Sequence, residues 1–546
     1  MGIFKKCPCF CTGRRNRSDT NLVDEDSVKE LDYSHCCLED VPPNIFSHER
    51  TLEIINLESN QIRDLPRALF HCEELKVLNL SDNELQSIPV AISSLTKLEE
   101  LNLSKNHIFQ LPDQMKQCKC LVVIEASINP LGPKLPDALT QLINLKELFL
   151  NDAFIEFLPA NFGKLTRLQI LELRENHLKT LPKSINRLVE LKRLDIGQND
   201  FIEFPEVIGS LYNLTELWCD FNKLVTIPET IGNLVQLTYL DASYNKIEDI
   251  SPDIGKCENM TDLTLSSNNL QELPDNIGQL SNLLVLRMDE NELKSIPSSI
   301  GSLIRLEELI INDNLISDLS SCIGQMRNLQ TLIADCNKIE FLPDSICSCL
   351  SLRILSLAEN NLKCLPENIG RLTSLQVLNL CNNYLTYLPY SLSQIVFLKS
   401  IWLSENQTKP LMPLHSETMT ESPYPKKILT CFLLPQTKSE EHASISSEHH
   451  SSHSSQRRKL SFLTVNIDKP LIGSSGDKKD VLQISPSSVN STESPENENA
   501  AARLLRQPTP YPRDSKIQAR HARNLVLKHL DLNNIYLEEI KTVNAI

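Results

Sequence analysis

The chain has 546 residues, 41% of them hydrophobic but only 5% aromatic, so its core must be filled with aliphatic side chains. A net charge of −16 sets the whole-chain field against nucleic acid and anionic lipid alike. No run approaches the ~20 apolar residues of a membrane-spanning helix, and the N-terminus MGIFKKCPCFCTGRR lacks the apolar centre of a secretory signal, which predicts a cytosolic chain.

Residues 1–23 form a basic tip on an acidic protein. Lys5, Lys6, Arg14, Arg15 and Arg17 surround Cys7, Cys9 and Cys11. One acyl chain holds a protein to a membrane only marginally, whereas acylation beside basic residues supplies two signals, the second adding ~1 kcal/mol per charge at an anionic leaflet. These three cysteines are therefore expected to be palmitoylated. Gly2 invites myristoylation, but Lys6 stands where that motif wants Ser or Thr.

Residues 24–410 are periodic. The stretches LEIINLESNQIRDLP (52–66), LKVLNLSDNELQSIP (75–89) and LEELNLSKNHIFQLP (98–112) share L-x-x-L-x-L-x-x-N-x-L-x-x-L-P, the leucine-rich repeat pattern. The Asn slot returns every 23 residues from Asn60 through Asn83, Asn106 and Asn129, then from Asn176 to Asn406, with one residue added at LGPKLP and Ala153 in the slot between. A degenerate first unit, VKELDYSHCCLEDVP (28–42), places Cys36 there and brings the count to seventeen. The leucines of one unit cannot bury themselves and must stack on the next. The Asn amide is expected to satisfy backbone groups of adjacent turns, and Ala153 requires another group to do so. The predicted fold is an α/β solenoid: a horseshoe with an inner parallel sheet roughly 80 Å long at ~4.8 Å per strand, with short helical or extended segments such as PETIGNLVQ (228–236) on the convex side.

Residues 411–437 break the pattern, and KKILTCFLLPQ (426–436) is apolar enough to cap the last unit. From 438 to 546 the chain is rich in Ser, His, Glu and Asn, a composition that predicts disorder, with a C-terminal stretch of helical spacing. Arg457-Arg458-Lys459-Leu460-Ser461 makes Ser461 a candidate for a basophilic kinase; phosphate there adds about −1.5 to −2 charge beside three basic residues.

No P-loop, G-x-G-x-x-G, H-E-x-x-H or nucleophile elbow is present, so neither enzymatic activity nor a cofactor or small-molecule substrate is expected. The C-x-C pairs Cys118/Cys120 and Cys347/Cys349 lack a second pair at zinc spacing, so no metal is expected. Scattered cysteines such as Cys219, Cys364 and Cys381 read as reduced thiols.

The third, fifth, seventh and eighth positions of each L-x-x-L-x-L-x-x-N should face the concave side. Over the sixteen regular units they hold twenty Asp or Glu against Lys105, Arg174, Arg193 and Arg287. Aromatics gather there too, at Phe149, Trp218, Phe221, Tyr239 and Tyr244. Glu172, Arg174, Asp195, Trp218, Asp220, Phe221, Tyr239 and Asp241 form the candidate partner-binding patch, with its carboxylates expected to project from the sheet toward a basic ligand.

These residues resemble the LAP family (leucine-rich repeat and PDZ proteins), most of all its erbin/densin branch. The resemblance rests on LKELFLNDAFIEFLPANFGKLTRLQILELRENHLKTLPKSINRL (145–188), which includes the Ala153 slot, and on LDYSHCCLEDVP, VIEASINP, IWLSENQTKPLMPL and KKILTCFLLPQ. It covers about residues 1–437, and the cysteine-rich tip matches the family's palmitoylated N-terminus. No PDZ domain is found, so the resemblance implies either a Lano-like, repeat-only member or a short form of a longer one.

The resemblance implies a scaffold for proteins of cell polarity, junctions, postsynaptic sites or receptor and Ras-type signalling. Its expected place is the cytoplasmic face of the plasma membrane, basolateral, junctional or postsynaptic, and also the cytoplasm. The alternative is a soluble leucine-rich-repeat regulator of a GTPase or phosphatase pathway with no membrane anchor.

Overall fold

A computed structural model of the chain describes residues 28–419 and 425–436. The tip with Cys7, Cys9 and Cys11 and the tail with Ser461 lie outside the described residues.

Seventeen three-residue strands, from Glu30–Asp32 to Ser400–Trp402, form one sheet. Each is parallel to the strands of the preceding and following units, with the same repeat position opposite itself: Leu217 pairs with Leu194 on one side and Leu240 on the other. Strand centres such as Leu194, Leu217 and Leu240 point into the solenoid and are fully buried. Leu214, Cys219, Leu224, Ile231 and Leu234 of the ninth unit join them in a single aliphatic core that runs through the repeats.

The convex segments are 3₁₀ helices of three to six residues, most of them entered from a proline such as Pro66 or Pro182. Proline fixes the entry dihedral and gives up an N–H that the first turn would leave unpaired, and a 23-residue coil has room for only a short helix. The Pro66 carbonyl then accepts from Leu69 N at 3.1 Å.

The asparagines join one coil to the next. Asn222 donates through Nδ2 to the carbonyls of Ile196 (3.0 Å), Cys219 and Asp220 (both 3.1 Å), and its Oδ1 accepts from Phe201 N at 3.1 Å. The residue just before each slot turns the chain through the left-handed region, with φ of 50–58° from His35 to Asn382. A second left-handed residue follows the slot in two units, at Cys37 and Phe154, the two whose slot holds Cys36 or Ala153 instead of Asn. At Ala153 the group that compensates is the backbone. The N–H that a regular Asn would receive, that of Leu131 two residues after the preceding slot, donates to the Asn129 carbonyl at 2.8 Å, and Gly132 N donates to the Ala153 carbonyl at 2.9 Å. That approach requires glycine, because a Cβ on residue 132 would lie 1.7 Å from the Phe154 carbonyl oxygen.

The seventeenth rung departs from the sequence pattern. Asn406 is exposed and takes no part in the ladder. Its role passes to Gln436, which donates to Leu380 O at 2.8 Å and Leu403 O at 2.9 Å and accepts from Leu385 N at 3.1 Å. The strand Lys426–Thr430 delivers it there, pairing antiparallel with Leu388–Pro389 and His415–Met419. Ile428, Leu429 and Cys431 are buried in this cap. An amide carried by the following segment closes a coil that has no next coil to lean on.

Candidate protein-binding surface

Register places Glu172, Asp195, Trp218 and Asp241 side by side in one row across the seventh to tenth strands. Arg174 lies in the row above and reaches past the eighth unit. It gives Asp220 two parallel hydrogen bonds, Nη1 to Oδ1 at 3.0 Å and Nη2 to Oδ2 at 2.8 Å, and lies 3.6 Å from Asp195.

The carboxylates expected to project from the sheet do not. Asp195 and Asp241 are 6% exposed and Asp220 not at all, because the flanking strands and Arg174 close over them. Asp195 accepts from Gly197 N at 2.8 Å, and Asp241 from Ser243 N at 3.0 Å and Ser243 Oγ at 2.6 Å. Three carboxylates thus share one guanidinium out of water. Burial pushes Asp195 up to about 7, against the pull of Arg174 and Gly197, and burial with the nearby Asp241 charge pushes Asp220 up to about 7. Asp241 is raised for the same reason.

Two aromatics are covered as well. Trp218 and Tyr239, expected as open interface anchors, are 3% and 9% exposed. Their rings meet at 5.0 Å, and the Arg193 guanidinium lies over the indole at 4.6 Å while bonding Glu172 at 3.1 Å. Arg193 therefore acts as a lid.

The ring that does face solvent is Phe221, stacked on Tyr244 of the next unit with centroids 4.1 Å apart and planes 8° from parallel. Both occupy the left-handed slot before the ladder asparagine, at φ 50° and 52°. That turn throws their side chains outward, where bulky residues are uncommon. The sequence-derived patch omitted Tyr244 and Arg193. The signal for Tyr244 was present in its 23-residue offset from Phe221, since equal slots in adjacent coils are neighbours. Among the cysteines, the thiols of Cys118 and Cys349 are buried and donate to the carbonyls of Ile92 and Ile323 at 3.2 Å, which gives them a structural role.

Two repeat-family models match the chain, one described as leucine-rich repeat region at 133–226 and 225–340, the other as leucine rich repeat at 50–108 and 327–385. Human erbin is 54% identical over 50 residues, 9% of this chain and 4% of erbin. Leucine-rich repeat-containing protein 7 from Rattus norvegicus is 49% identical over 73 residues, 13% of this chain and 4% of that protein. The matched stretches therefore span only a small part of either relative. A leucine-rich repeat protein of Leptospira interrogans superposes with a TM-score of 0.59 at 32% identity, over 71% of this chain and 91% of that one. The plant peptide hormone receptor RGFR1, solved in complex with RGF2, superposes with a TM-score of 0.56 at 27% identity, over 70% and 65% of the two chains.

Proposed function

Because the chain belongs to the leucine-rich repeat proteins, we propose that it is a non-enzymatic scaffold that holds protein partners against its concave sheet at units seven to ten. The observation that carries this reading is the Phe221–Tyr244 pair, 42% and 39% exposed. Solubility alone gives no reason to stack two large rings in water, whereas exposed aromatics are the side chains that anchor interfaces. The aspartates, held by Arg174, and Trp218 beneath act as a rigid floor.

The finer assignment is a LAP-type scaffold of the erbin/densin branch. The short matches to erbin and to leucine-rich repeat-containing protein 7 support it, as do the Ala153 slot and the capping segment. On that reading the protein works at the cytoplasmic face of the plasma membrane in polarity, junctional or postsynaptic assemblies, anchored by acylation at Cys7, Cys9 and Cys11. Affinity capture with native chain and with Phe221→Asn/Tyr244→Asn tests the binding surface. The reading expects the double variant to lose partners that the native chain retains, and equal capture by both would refute it. Hydroxylamine-sensitive membrane fractionation of native chain against Cys7/Cys9/Cys11→Ser tests the anchor, and equal solubility would favour the soluble-regulator alternative.

A further inference from the structure

Charge on the concave face is one-sided, and the structure consumes most of what would balance it. Of the four basic residues at the inward-facing positions, Arg174 is held by Asp220 and Asp195, Arg193 by Glu172 and Glu216, and Arg287 by Glu308. Twenty carboxylates stand against those four. Directly before Phe221 comes Asp220, and Asp241 lies three residues before Tyr244, so the exposed plate stands over a cluster whose carboxylates outnumber its guanidinium three to one. The slot that holds the two rings carries Glu175 two units before Phe221 and Glu290 two units after Tyr244. At ~4.8 Å per strand, each is about 10 Å from the plate, the length of three residues of extended chain.

The two rings cover each other's inner faces, and we propose that an outer face of the stacked Phe221–Tyr244 pair seats the guanidinium of an arginine carried by an extended basic segment of a partner protein, with Glu175 and Glu290 receiving basic side chains about three residues to either side. This deepens the concave-face reading and rests on it. A planar, weakly hydrated guanidinium stacks on aromatic faces better than an ammonium does, which selects arginine over lysine at the centre. The excess of carboxylates over the concave face supplies the field that draws the segment in, and Arg174, locked in the floor, cannot swing out to compete.

Fluorescence anisotropy with the full chain and a fluorescein-labelled Arg-Gly-Ser-Arg-Gly-Ser-Arg peptide tests this. The expected result is saturable binding that weakens with salt and is at least about tenfold weaker in Phe221→Asn and in Tyr244→Asn. Asparagine keeps the left-handed turn while removing the ring, and unchanged unfolding midpoints confirm that the fold is intact. Replacing the central arginine with lysine should weaken binding, and replacing all three with glutamate should abolish it. Failure of the arginine peptide to bind, or equal binding by both variants, overturns the proposal. If partners captured by the native chain cross-link to units seven to ten while the peptide does not bind, the basic-ligand assignment alone is wrong. Cross-links confined to the convex side would sink the concave-face reading as well.

Discussion

Arg174 reaches Asp220 only because Gly197 lies under it: a Cβ on residue 197 would come within 2.2 Å of Arg174 Nη1 and 2.6 Å of Asp220 Oδ1. In Gly197→Ala the guanidinium must move, leaving a buried carboxylate without its partner. Breaking a buried pair costs about 3–5 kcal/mol. Urea unfolding should show a loss of that order, with hydrogen exchange rising first in units seven to nine, which this pair spans, since a solenoid is held together mainly by contacts between neighbouring units. Loss of protection spread evenly over all units would contradict the one-dimensional picture.

The aspartate cluster should make stability depend on pH in an unusual direction. Asp195 ionises near 3.8 when unfolded and near 7 when folded, raised chiefly by burial, with Arg174, Gly197 N–H and Arg193 opposing and Glu172 adding to the rise. A folded value above the unfolded one means that this group favours folding below the unfolded value. Its contribution falls as pH climbs toward the folded value and is constant beyond. Between pH 4 and 7, native protein should therefore lose stability relative to Asp195→Asn, by no more than about 4 kcal/mol. Chemical denaturation of both at several pH values reads the difference, and a native advantage that grows with pH would refute the assignment.

A regular rung and the exception at Ala153 predict an asymmetry. Asn222→Ala leaves the Phe201 N–H without its partner, while the Ile196 carbonyl keeps Asn199 Nδ2, and should cost about 1–3 kcal/mol. Ala153→Asn restores the consensus letter yet should gain nothing, since Leu131 N already bonds Asn129 O and Gly132 N bonds Ala153 O. Thermal unfolding of both variants decides; stabilisation by Ala153→Asn would mean that a rung is truly missing.

Much of this was legible in the residues. The leucine and asparagine spacing specifies the coil, the parallel sheet and the number of units, because each strand position pairs with its counterpart in the adjacent coils. Three features were not legible. Gln436 replaces Asn406 from 30 residues downstream, outside the period that pattern reading relies on. The burial of Asp195, Asp220 and Trp218 depends on what stands in the two neighbouring coils, above all Arg174 and Arg193. The outward throw of Phe221 and Tyr244 comes from a left-handed turn that neither residue type favours.

The cap predicts a local failure. Gln436→Ala removes the three bonds that close the last coils. Exchange at Leu385, Leu403 and their neighbours should accelerate while units two to fourteen keep their protection. A global loss of protection would show that the cap nucleates the whole solenoid.

The most direct test of the central claim is a hydrogen-exchange footprint of the full chain with and without a captured partner. Binding at the aromatic plate predicts new protection in Ile170–Glu172, Arg193–Asp195, Glu216–Trp218 and Tyr239–Asp241 and in the turns at Phe221 and Tyr244, all of it lost in the Phe221→Asn/Tyr244→Asn chain. Protection confined to the convex 3₁₀ segments, with those strands and turns unchanged, would contradict it.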